Sequence, residues 1–165
     1  MSIETNDAPH LPVFLETAMS GYLDRLQDVF GRALVGVTVF GPVVVGEADP
    51  SMDFLRSAVV LEEVDLNALR RLSLEGRQLS QNQIAAPLVM SPRYIETSLD
   101  SFPLELMEIG ATGRSVHGQD FFSGLKFEAE HVRLQCEREL KRVLISLRQG
   151  VLASAGRDDF LTDVE

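Results

Sequence analysis

The run Leu34-Val35-Gly36-Val37-Thr38-Val39-Phe40, closed at once by Gly41-Pro42, constrains this chain more than any other segment. Four of its seven residues are β-branched, a composition that suits a pleated and half-buried surface. Proline then withholds a backbone N–H and fixes φ, so the strand has to end there in a sharp exit. Upstream, residues 11–31 place Leu15, Ala18, Tyr22, Leu26, Val29 and Phe30 mostly three or four apart, with Asp24, Arg25, Gln27 and Asp28 between them. That spacing predicts an amphipathic helix, and Gly31 marks its stop.

The order continues in alternation. Residues 54–61 predict a second strand around the apolar Ala58-Val59-Val60-Leu61, interrupted by Arg56. Asp65 is placed to cap a helix through Leu66, Leu69 and Leu72 that turns polar by residues 78–83. Residues 86–90 read as a short strand, and Ser91-Pro92 opens a helix with a cap followed by a first-turn proline. Residues 102–109 are a further strand candidate, and residues 110–118 are punctuated by glycine. From Glu128 to about Ala153 the period becomes helical, with Val132, Cys136, Leu140, Val143, Leu147 and Val151 forming a seam that needs something to pack on. The expectation is an α/β or α+β domain, with a sheet flanked by helices and a long C-terminal helix. Its parts are a flexible N-terminus (1–10), a sheet domain (11–125), a helical extension (126–155) and an acidic tail (156–165).

Composition bounds the function. At 165 residues the chain is one ordinary domain, and its apolar runs fall far short of the ~20 residues that a spanning helix needs. The first residues, Met1-Ser2-Ile3-Glu4, lack the basic and apolar regions of a secretory signal. The lone Cys136 forms no intramolecular disulfide, which fits a cytoplasmic location, and its place on the seam predicts a small buried hydrophobe rather than a nucleophile. A formal net charge of −10 opposes attraction to phosphate backbones and anionic membranes. The basic clusters Arg70, Arg71, Arg77 and Arg138, Lys141, Arg142 fall on predicted helices, where solvated charge explains them.

The segment from Val39 to Leu55 resembles the active-site frame of minimal nucleotidyltransferases of the DNA polymerase β superfamily. In that frame a strand ends in Gly-Ser, a second glycine follows, and an Asp-x-Asp pair opens the next strand. The two aspartates share one face and hold magnesium, the glycine turn lets backbone N–H groups approach a triphosphate, and a later strand supplies a third carboxylate. Here Phe40-Gly41 matches the strand end, Gly46-Glu47-Ala48 the second glycine, and Asp53 the first aspartate. Pro42 stands in the place of the serine and Leu55 in that of the second aspartate, while Glu105 is the candidate third carboxylate. The stretch from Pro87 through Tyr94-Ile95-Glu96 and Phe102-Pro103-Leu104-Glu105 to Leu134-Gln135-Cys136 is similar to a bacterial branch of the same proteins.

The resemblance implies a nucleotidyltransferase-like domain with much of its catalytic set replaced, in a binding, regulatory or assembly role. Gly41 and Gly46 would then approach a nucleotide. The alternative is an active enzyme using magnesium and a nucleoside triphosphate through Asp53, Glu105 and an acid such as Asp49, acting on a small molecule or protein. A third is an antitoxin-like partner of a helical toxin, and the C-terminal helix also suits a homodimer. His117 and Asp120 are expected in a surface loop, and the isolated positions of His10 and His131 argue against zinc.

Overall fold

The computed structural model describes residues 13–47 and 53–154, with side chains in the first helix from residue 19 onward. The expected N-terminus at 1–10, the acidic tail and Asp49 lie outside the described residues. The chain runs α1 (Val13–Phe30), a 3-10 turn (Gly31–Ala33), β1 (Leu34–Phe40), α2 (Pro42–Val45), β2 (Arg56–Leu61), α3 (Leu66–Ser73), α4 (Gly76–Gln81), β3 (Leu88–Met90), α5 (Pro92–Thr97), α6 (Pro103–Thr112), β4 (Arg114–Gly118) and α7 (Ala129–Ala153). The α+β class, the mixed sheet and the long C-terminal helix are as the sequence implies.

The sheet has the order β3-β2-β1-β4. β1 runs antiparallel to β2 in a register that sets Val37 opposite Val59 and Phe40 opposite Arg56. It is also antiparallel to β4, whereas β3 lies parallel to β2. Period-two alternation then sorts the apolar residues into two layers. Val37, Val39, Val59 and Leu61 face Tyr22, Leu26 and Phe30 of α1 and Ala68 and Leu72 of α3. Phe40, Ala58, Val60 and Met90 face Ile95 of α5, Leu106 and Ile109 of α6, and Phe122. In the first layer the Tyr22 hydroxyl hydrogen-bonds to Ser57 Oγ at 2.9 Å, which gives a buried polar pair on α1 and β2 mutual satisfaction.

Two caps form as their sequences require. Asp65 accepts from the Asn67 N–H, and Ser91 Oγ accepts from the Tyr94 N–H ahead of α5, with Pro92 in its first turn. Elsewhere the structure corrects the expectations. Residues 102–109 are not a strand: Pro103 begins α6, and Leu106 and Ile109, three apart, turn their side chains onto the sheet. The strand lies further on, at Arg114–Gly118, so His117 sits on a sheet edge opposite Val37 rather than in a loop. The helix after Asp65 is two helices, parted at Leu74-Glu75. Gly118 closes β4 at φ +66°, and a Cβ there would lie 2.2 Å from the Val35 carbonyl oxygen, so only glycine fits.

α7 docks on the domain through its first half. Gln135, buried on α7, accepts the Leu104 N–H at 2.8 Å and donates to Glu105 Oε2 at 2.7 Å, so one amide satisfies an N–H in the first turn of α6. Along the seam beyond it Cys136 is half-buried rather than buried, and Leu140, Val143, Leu147 and Val151 are exposed.

Candidate functional site

The exit of β1 is a tight turn built on Gly41, which holds φ +89° where a side chain would be strained. Pro42 follows as the first residue of the one-turn helix α2, and Gly46 closes it in the left-handed region at φ +79°. The N–H groups of both frame glycines are committed within the chain. The Gly41 N–H donates to Thr112 Oγ1 at 3.0 Å, and that hydroxyl donates in turn to the Glu108 carbonyl oxygen at 2.8 Å. The Gly46 N–H bonds to the Pro42 carbonyl oxygen, and Glu47 N–H reaches the same oxygen at 3.0 Å. Pro42 itself has no N–H to offer.

Arg56, the first residue of β2, crosses the end of β1 directly beneath this turn. Its guanidinium lies 4.5 Å from the centre of the Phe40 ring and forms a forked pair with Glu108 of α6, Nη1 to Oε1 at 2.5 Å and Nη2 to Oε2 at 3.0 Å. A Cβ on Gly41 would stand 3.6 Å from both Arg56 Cδ and Nη1 and 3.9 Å from Glu108 Oε1, so the turn closes against the ion pair. Both side chains remain more than a third exposed, which limits the pair to under about 1 kcal/mol of stability.

The residues singled out from the sequence fall on several elements. Asp53 precedes β2, half-buried, and takes part in an interaction of its own. Glu105 lies in the first turn of α6, not on a strand, and its carboxylate is directed to Gln135 of α7. Glu108, one turn further along α6, is the carboxylate that reaches the Gly41 turn. Leu55 is fully buried in the layer under α1, bridged to Ile84, so the position of the second aspartate faces the core. Alternation places Arg56 on the opposite face, beside Phe40. Arg56 and Glu108 were missed as a unit because the signal that unites them is the register of β2 on β1 and the helical state of residue 108.

A magnesium pair requires several converging carboxylates. Among the described residues no group of three or more His, Cys, Asp or Glu side chains is placed to hold a metal ion, and the Glu108 carboxylate beside the Gly41 turn is held by an arginine. These residues do not fit a two-magnesium centre. Nearby, a cleft of about 440 Å³ lies between α3, α4 and β3, lined by Phe54, Leu72, Leu79, Ile84 and Val89 among others, and it includes neither frame glycine nor either glutamate. Asp120 accepts from the N–H groups of Phe122 and Ser123 in the turn after β4. Its pKa is lowered, first by the Ser123 side chain and then by those backbone donors.

Comparison with known proteins adds the following. No protein-family model matches the chain, and no curated protein matches it. Among solved structures it is similar to the toxin–antitoxin pair MntA-HpeT in a mutant form, at 15% identity over 76% of this chain and 93% of that one, with a TM-score of 0.42. It is also similar to a toxin–antitoxin structure with AMP-PNP, at 14% identity over 83% and 98% of the two chains and a TM-score of 0.41. A third is the tri-AMPylated Shewanella oneidensis HEPN toxin in complex with MNT antitoxin, at 18% identity over 90% and 97% and a TM-score of 0.40. At these TM-scores the likenesses carry no argument about the chemistry of this chain.

Proposed function

We propose that this chain is a nucleotidyltransferase-like domain whose catalytic site has been replaced by an ion pair, and which serves by binding and assembly rather than by transfer. The observation that carries the proposal is the Arg56–Glu108 fork under the Gly41 turn. In the frame that the sequence resembles, metal-bound carboxylates stand at the start of β2 and free backbone N–H groups stand at the glycine turn. Here a guanidinium occupies the strand start, its charge already answered by Glu108, and the N–H groups of Gly41 and Gly46 are engaged internally. Phosphoryl-type transfer depends chiefly on positioning and charge stabilisation by metal ions. With both removed, the scaffold retains the shape of the site but not the means of stabilising a pentacovalent phosphorus.

The test is direct. The purified chain is incubated with each nucleoside triphosphate, with and without magnesium, and pyrophosphate is measured, while calorimetry on the same samples reads binding. The expected result is no magnesium-dependent pyrophosphate release. Release that disappears in Asp53→Asn would establish the active-enzyme alternative instead, and heat of nucleotide binding without release would show a ligand retained at the Gly41 and Gly46 turn.

A further inference from the structure

The helix that opens at Leu66 breaks at Leu74-Glu75, and beside the break lies the cleft of about 440 Å³ between α3, α4 and β3. The break is tied down, because Glu75 forms an ion pair with Arg25 of α1. Buried Leu72, Leu79 and Ile84 line the cleft from the core layer under α1. Leu69 and Val89 line it too yet are only half-buried, and Phe54 is 42% exposed. Large apolar side chains are thus left partly in water around one concavity. Its volume falls in the range of about 300–1,000 Å³ typical of small-molecule sites. No lining residue carries a charge, and only Ser73 and Ser80 bring polar side chains. The Ser73 hydroxyl already donates to the Arg70 carbonyl oxygen at 2.8 Å. The N–H groups of Ile84 and Ala85 bond to the carbonyl oxygens of Leu79 and Leu55, at 2.9 Å each.

We infer that this cleft is a binding site for a small, uncharged and largely apolar molecule bearing a single hydroxyl-sized polar group. The lining selects that class. A carboxylate, phosphate or ammonium entering it would shed hydration water with no opposite charge to answer it. An extended peptide is matched less well, since it brings an N–H and a C=O at every residue while the Ile84 and Ala85 donors are already used. An apolar body instead covers the exposed parts of Phe54, Leu69 and Val89, and burial of such surface drives binding. Ser80, exposed on α4, is left to meet the ligand's hydroxyl. The cleft includes neither frame glycine nor Arg56 and Glu108, so the inference holds whether or not the Gly41 turn binds nucleotide or catalyses.

The experiment titrates the full chain with N-phenylnaphthylamine, a neutral fluorophore that brightens in apolar surroundings, and then competes it with n-octanol, octanoate and octylammonium. The signal saturates at one probe per chain. Octanol displaces the probe, and the two ions do so at least about tenfold less well. In Gly76→Leu probe affinity falls by about tenfold or more while the melting point holds or rises. A Cβ at Gly76 meets nothing within 4 Å, so the longer side chain has room to occupy the cleft, and leucine is the better helix former. In Ser80→Asp octylammonium overtakes octanoate as the competitor, because the wall then carries a negative charge. In Leu144→Ser, Leu147→Ser the signal is unchanged, which separates the cleft from the exposed leucines of α7. No saturable signal, equal competition by octanol and the two ions, unaltered binding in Gly76→Leu or Ser80→Asp, or loss of the signal in the α7 variant would each overturn the proposal.

Discussion

Leu106 on α6 and Leu147 on α7 are the same side chain in the same kind of secondary structure, each on the apolar face of its helix. Leu106 is fully buried, and Leu147 is 38% exposed. The difference lies in what the chain places opposite. α6 lies on the sheet, so its face at Leu106 and Ile109 meets Phe40, Ala58 and Val60. α7 meets α6 in its first half, by way of Gln135, and the apolar side chains of its second half are exposed. Helical periodicity assigns a residue to a face, while burial requires a second surface.

The sharpest way to break this comparison is to truncate both leucines. Leu106→Ala should lower unfolding free energy by about 2–5 kcal/mol through lost transfer energy and a cavity, whereas Leu147→Ala should change it by no more than about 0.5 kcal/mol. Urea denaturation followed by circular dichroism reads both, and equal effects would mean that distal α7 is covered in solution. Next in size, Gly118→Ala should cost more than about 1 kcal/mol by the same measurement, since a Cβ there is strained at φ +66° and meets the Val35 carbonyl. No position in the distal half of α7 should be as intolerant of a methyl group.

A smaller effect separates the layers by pH. Burial pushes the Tyr22 phenol up to about 12, against a lesser lowering from its hydrogen bond to Ser57. The folded state therefore favours the neutral phenol, so this contribution is complete below the unfolded value of ~10 and declines as pH rises from about 10 towards 12. Tyr22→Phe should flatten that alkaline decline and, at neutral pH, cost about 1 kcal/mol for the stranded Ser57 hydroxyl. The smallest expected change is Glu108→Gln, under about 1 kcal/mol because the pair is partly solvated, with the residual difference shrinking in added salt.

What the sequence made legible follows from the same contrast. β1 could be delimited because its β-branched run is buried on both faces and proline ends it, and the starts of α3 and α5 because Asp65 and Ser91 are local caps. α6 was misread because Leu104, Leu106 and Ile109 mimic an apolar strand, although Pro103 is as good a first residue of a helix. β4 was illegible because Arg114, Ser115 and His117 lie on an exposed edge and give no apolar alternation. At the site, Gly41 and Gly46 were singled out only by resemblance to a glycine frame, and in the fold each takes a positive φ at one end of α2. The Arg56–Glu108 pair was not singled out, since residues 52 positions apart are joined only by the register of the sheet and the pitch of α6.

The strand order has a consequence for the chain while it is being made. β1 receives one neighbour as soon as β2 emerges, but its other edge is covered only by β4, whose residues come after six of the seven helices. Until residue 118 has left the ribosome, Gly36 to Val39 present an open row of backbone donors and acceptors beside a strongly apolar surface. A stalled or prematurely ended product stopping before Arg114 therefore carries a sticky sheet edge, whereas one stopping within distal α7 already has the whole sheet closed.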